Sequence, residues 1–161
     1  MAINYNYEVR IQFKEKNPDA DNFIATLYGV CFANVIYLPI ANKIKVLAKS
    51  FYDEIIECRR YLHRHPELSQ QEFGTMEYVA DKLRSFGLQP HTGIGKTGVM
   101  AMIEGNNPQS YCIALRADYD ALPIKECTGL PFSSEVDGVM HACGHDMHTA
   151  SLLGCAKILT T

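Results

Sequence analysis

The 161-residue chain has no surplus of positive charge: 15 Lys and Arg stand against 18 Asp and Glu, for a formal net charge of -3. The basic residues are spread along the chain rather than bunched. There is thus no electropositive stripe to track a phosphate backbone, and nucleic acid is not an expected partner. The chain also has no C-x-x-C pair and no secretory cleavage pattern. Its six cysteines, Cys31, Cys58, Cys112, Cys127, Cys143 and Cys155, are scattered. That argues against a disulfide framework and for reduced thiols in a cytoplasmic protein. Internal repeats and low-complexity segments are lacking as well. What remains is an ordinary globular composition, 47% hydrophobic and 20% charged, on a chain long enough to bury one core.

Residues 1–41 do not resemble the rest of the chain and read as an atypical leader. Met1 to Asn22 is polar, and Phe23 to Ala41 is then free of charge for nineteen residues. That length is marginal for a membrane span. Asn34, Gly29, Pro39 and the β-branched and aromatic content argue against one, so membrane association is not expected. A buried pair of strands, or a leader foreign to the natural protein, is the plainer reading.

From Asn42 to Thr161 the pattern is regular. Ile44, Leu47, Phe51, Ile55, Cys58 and Leu62 recur at steps of three and four, which predicts one face of a helix that Pro66 ends. "SQQE", Ser69 to Glu72, fits a capping box. It predicts a second helix running to about Phe86, with Gly87 as a left-handed stop. Beyond it lie three β-like runs, "LQPHTGI", "TGVMAMIEG" and "SYCIALRAD". The turn-forming "NNPQ" between the last two predicts neighbouring strands of one sheet. Ala121 to Gly138 reads as loop. "HDMHTASLLGCAKIL" has helical spacing, with Met147, Leu152 and Cys155 or Ala156 on a common side. The expected fold is α/β, a partial sheet flanked by helices.

"VMHACGHDMHTA", Val139 to Ala150, gathers three of the chain's six histidines with Cys143 and Asp146. On an extended chain His141, Cys143 and His145 share a face; on a helix His145 and His148 converge. Thiolate and imidazole both bind zinc and its neighbours, and Asp146 is placed to bind metal or to orient a ring nitrogen. Three other readings compete. A structural zinc site wants four ligands, commonly in two separated pairs, and only one knot is present. A Cys143 nucleophile wants a base brought from elsewhere in the fold. The bland reading is a core cysteine beside surface histidines. Upstream, the apolar strand of "ALRADYDALPI" runs into Asp118 and Asp120 at its carboxyl end, where α/β sheets place their sites. A carboxylate there binds metal or holds a ligand histidine, or else pairs with Arg116 in solvent. Ligand density and this strand end together favour a catalytic metal site.

"RRYLHRHPELSQQEFGT", "ALRADYDALPI" and "GVMHACGHDMHTASLLGCAKIL" together closely resemble the amidohydrolase branch of the metallo-aminoacylase and carboxypeptidase family. That branch holds hippurate hydrolases, N-acyl-amino-acid and N-acetyl-diaminopimelate deacylases, and auxin-conjugate hydrolases. The likeness runs from about Ile44 to Leu159, with the motifs in order. It implies a dimetal aminopeptidase-like catalytic domain of which residues 42–161 are the amino-terminal portion, and a smaller inserted domain that often forms a homodimer. It implies two divalent ions, zinc or manganese, and hydrolysis of the amide bond of N-acyl amino acids. Cys143 and His145 become metal ligands and Asp118 the aspartate that supports catalysis. Arg116 stands where more distant relatives have a histidine ligand. The family's base is one of an adjacent Glu pair downstream, with two more histidine ligands beyond it, and no glutamate occurs after Glu135 here. The expectation is therefore an amino-terminal fragment, inactive alone. The competing expectation is a non-catalytic metal-binding or interaction module derived from the family.

Overall fold

The computed structural model describes residues 9–14, 38–105 and 112–161. Most of Phe23 to Ala41 lies outside these. Among the described residues no helix is long and apolar enough to cross a membrane.

The predicted first helix is two, α1 (Leu38–Ser50) and α2 (Tyr52–Arg64). Phe51 N donates to Leu47 O at 3.0 Å and Ile55 N to Phe51 O at 3.0 Å, so the helical ladder runs on through the joint. The apolar stripe buries only its second half. Cys58 and Leu62 are buried, whereas Ile44 and Leu47 are half-covered and Val46 is exposed.

Helix α3 (Phe73–Ser85) starts later than a cap at Ser69 would place it. Gln70 takes a left-handed φ of 68°, which breaks any helix across the segment. The helix start is closed from outside: both Glu67 carboxylate oxygens accept, from Gly74 N at 3.0 Å and Thr75 N at 2.7 Å. Glu72 is buried and takes a bond from Thr97 Oγ1 at 2.8 Å rather than reaching back to Ser69. At the other end Gly87 has the expected left-handed φ of 82°. Leu88 N bonds Leu83 O at 3.1 Å and Gly87 N bonds Arg84 O at 2.9 Å, the paired closure that a left-handed residue permits.

The strands are β1 (Val9–Lys14), β2 (His91–Ile94), β3 (Gly98–Glu104) and β4 (Cys112–Leu115), in the order β2-β3-β1-β4. The runs on either side of "NNPQ" share a sheet, as expected, but they are not neighbours. β1 lies between them, parallel to β3 from Val9↔Val99 to Lys14↔Glu104 and antiparallel to β4 from Ile11↔Leu115 to Lys14↔Cys112. A turn-forming cluster marks where a strand stops; it does not choose the partner, and an inserted strand satisfies the backbone groups of both edges.

One face of β3 carries Val99, Ala101 and Ile103 inward, with Met102 and Glu104 outward. The inward set packs with Val79, Ala80 and Leu83 of α3, with Ala117 and Tyr119 beyond β4, and with Leu152, Leu153 and Ala156 of α4 (His145–Leu159). Gly154 brings α4 close to α2: a Cβ there would stand 3.2 Å from Ile55 Cγ1. Met147 is 52% exposed and does not share the buried side of Leu152. Residues five apart lie about 140° apart around a helix; the buried face is Asp146, Thr149, Leu153 and Ala156 with Ala150 and Leu152 beside it.

Candidate metal centre

Two segments far apart in sequence are pinned side by side. Leu122 and Met140 exchange both backbone hydrogen bonds at 3.0 Å, and Thr149 Oγ1 donates to Asp118 O at 2.9 Å. The end of the Ala114–Ala121 run therefore lies against the turn that opens α4. Ala121 N adds a bond to Glu67 O at 2.8 Å, tying both to the segment before α3.

Within this frame His145 Nδ1 lies 2.8 Å from Asp120 Oδ1 and 3.1 Å from Asp120 O. Both partners are acceptors, so Nδ1 carries the proton and Nε2 keeps its lone pair. The carboxylate that holds the histidine is thus Asp120. Asp118 Oδ1 accepts instead from Arg116 Nη2 at 2.7 Å. Cys143 is a free, exposed thiol on the turn, which Gly144 makes with a left-handed φ of 78°. His148 is exposed, its ring 5.8 Å from that of His145. His141 is buried at 4% exposure, and neither ring nitrogen has a hydrogen-bond partner among the described residues. Burial, with His63 and His145 adding to it against the pull of Asp146 and Asp120, pushes its pKa down to about 4.

Beneath the turn sits a buried cluster that the sequence pattern did not point to. Asp146 is fully buried, and its Oδ2 lies 2.7 Å from His63 Nδ1 and 2.8 Å from Arg59 Nε. The arginine contact is an ion pair not aligned as a hydrogen bond. Arg59 Nη2 is also 3.3 Å from His63 Nδ1, but an arginine only donates, so the closer Asp146 takes the ring's proton. On the other side His63 Nε2 meets Glu126 Oε1 at 3.2 Å. Burial raises the Glu126 pKa, but the Ser134 N–H, the Thr128 hydroxyl and His63 together outweigh it and hold it at about 2. The signal in the sequence was a histidine beside the buried helical stripe with an arginine one turn before it.

The donor set fits a divalent ion in part. An exposed thiol and an imidazole whose far nitrogen is held by a carboxylate are the donor types that zinc and its neighbours take. Among the described residues, no three of His, Cys, Asp and Glu are grouped so as to hold an ion.

Comparison with known proteins agrees with this chemistry. The profile of Peptidase family M20/M25/M40 matches residues 114–161. The N-acyl-L-amino acid amidohydrolase of Geobacillus stearothermophilus is 49% identical over 119 residues, covering 74% of this chain and 32% of that protein. The hippurate hydrolase of Campylobacter jejuni is 48% identical over 108 residues, covering 67% of this chain and 28% of its own length. The crystal structure of the Bacillus subtilis YXEP protein, described as a dinuclear metal binding peptidase from the M20 family, superposes with a TM-score of 0.60 at 43% identity. It covers 70% of this chain and 32% of that one. Residues 114–161 thus match the M20/M25/M40 peptidase family, and the chain is similar to amidohydrolases among its relatives. It spans about 30% of the length of the curated relatives it matches.

Proposed function

We propose that this chain carries the amino-terminal part of the metal site of an amidohydrolase that cleaves the amide bond of N-acyl amino acids. The observation that carries the reading is the His145–Asp120 hydrogen bond at 2.8 Å, inside the segment matched by the family profile. It leaves Nε2 as a ready ligand atom. Cys143 and His145 would hold divalent metal, zinc or manganese, which in such sites supplies Lewis acidity and an acidified water. Asp120 sets the tautomer of His145, and Gly144 sets the turn that presents Cys143. Asp118, held by Arg116 and through its carbonyl by Thr149, supports the same strand end.

Two protein donors are too few for a dimetal centre, and the chain has no glutamate after Glu135 to take a proton from water. The chain alone is therefore a weak metal binder with little or no turnover. Its working partner is a segment with an adjacent Glu pair and two histidines. Two measurements test this. The transcript is sequenced through and past the codon for Thr161, where such a segment is expected in frame. The purified 161-residue chain is assayed on hippurate. Benzoate release at enzyme-like rates, abolished by Cys143→Ala, would overturn the claim of inactivity.

A further inference from the structure

Resting on that reading of Cys143 and His145, we infer that His63 is a positioning residue for the metal-ligating segment and acts through Asp146. Asp146 comes directly after His145 in the first turn of α4, so the rotation that fixes one side chain fixes the other, about 100° away. Its Oδ2 is gripped by His63 Nδ1 at 2.7 Å from 83 residues away in sequence. His63 is itself held in place from the far side by Glu126 Oε1 at 3.2 Å and edge-on by the Phe132 ring at 5.7 Å. Arg59 stacks on the same Phe132 ring at 4.9 Å. His63 therefore joins three elements: α2, the first turn of α4 and the loop between Ala121 and Gly138.

Buried ionic clusters contribute little net stability, because the attraction between the charges is largely offset by their loss of hydration. What such a cluster supplies is direction. Asp146 presents one oxygen to the His63 ring N–H and to the Arg59 guanidinium charge, while its Oδ1 has no hydrogen-bond partner among the described residues. The first turn is thus held at one definite rotation, the one that delivers His145 Nδ1 to Asp120. Remove the His63 Nδ1 donor and that rotation loses its fixed reference. His145 then samples both tautomers, and Nε2 is no longer reserved for metal.

The test uses three variants of the full 161-residue chain. In His63→Asn the amide nitrogen takes the place of Nδ1; in His63→Gln it takes the place of Nε2; His63→Leu removes both. Each is titrated with cobalt(II), and the His145 ring is monitored by nitrogen-15 NMR without metal. His63→Asn is expected to keep the wild-type cobalt affinity and a single Nδ1–H tautomer. His63→Gln and His63→Leu are expected to lose roughly tenfold or more in affinity and to show mixed tautomers. The inference is overturned if His63→Gln keeps a single tautomer. It is also overturned if the losses in all three variants simply track their melting temperatures. If His63→Leu does not fold, the Asn and Gln pair decides. A wild-type chain that takes up no cobalt would defeat the ligand reading of Cys143 and His145, while the metal-free tautomer comparison still decides the role of His63.

Discussion

Asp120 Oδ1 accepts from His145 Nδ1 at 2.8 Å across 25 residues of sequence, and this single contact fixes which ring nitrogen carries the proton. Without it either nitrogen can carry the proton, and rings protonated at Nε2 present the wrong edge. Asp120→Ala is expected to weaken cobalt(II) binding by roughly 10- to 100-fold while leaving the helical circular dichroism unchanged. Asp118→Ala, which removes the contact with Arg116 instead, is expected to weaken it less. A cobalt titration of the two variants side by side checks the order; the reverse order would return the role of histidine holder to Asp118.

Acid should unfold this protein by way of two buried groups. The fold favours ionised Glu126, whose pKa falls from an ordinary 4.5 to about 2. Its contribution is full above pH 4.5 and is lost as the pH drops towards 2. The fold favours neutral His141, whose pKa falls from 6.5 to about 4, so that its contribution is full above pH 6.5 and is lost on the way down to 4. Both slopes have the same sign. Urea midpoints should therefore fall in two stages on acidification. Glu126→Gln should flatten the lower stage and His141→Phe the upper. A midpoint independent of pH between about 7 and 3 would contradict both assignments.

The helical segments and three of the strands were legible in the sequence, because each rests on local periodicity. Gly87 closes α3 as its position requires, and His145 opens α4. What was not legible is non-local. Ser69 to Glu72 has the letters of a capping box, yet Glu67 supplies the cap and Glu72 turns inward to Thr97. The inward turn of Glu72 depends on where Thr97, just ahead of β3, lies. Val9, Ile11 and Phe13 alternate with Arg10, Gln12 and Lys14, a strand pattern hidden in a stretch read as merely polar. Its insertion between β3 and β4 comes from no local rule. At the site, the sequence put Asp118 and Asp120 together at one strand end, but it is non-local contacts, the Leu122–Met140 pairing among them, that bring Asp120 to His145.

Glu67 offers a direct measure of non-local capping. Its two carboxylate oxygens satisfy Gly74 and Thr75 N–H groups that the start of a helix otherwise leaves free. Glu67→Ala is expected to cost about 1 kcal/mol, read as a lower urea midpoint with an unchanged slope. Ser69→Ala, at the place where the local motif would put the cap, is expected to change the midpoint little. Equal losses in the two variants would restore the capping box.

Glu72 is fully buried, and one of its oxygens has no hydrogen-bond partner among the described residues. The other accepts from Thr97 Oγ1 at 2.8 Å, on the residue whose carbonyl also accepts the buried Tyr119 hydroxyl. Thr97 thus serves a carboxyl group just ahead of α3 and an aromatic from the strand end that carries Asp118 and Asp120. Thr97→Val keeps the shape and the carbonyl but removes the hydroxyl, leaving the carboxylate with no donor at all. A buried acceptor stripped of its partner costs about 1–3 kcal/mol. The double variant Thr97→Val with Glu72→Gln should recover part of that loss, because the carboxyl group that the hydroxyl served is removed with it. Chemical denaturation of the two single variants and the double variant gives the coupling directly. Strict additivity would mean that the Thr97–Glu72 bond contributes nothing to holding α3 on the sheet.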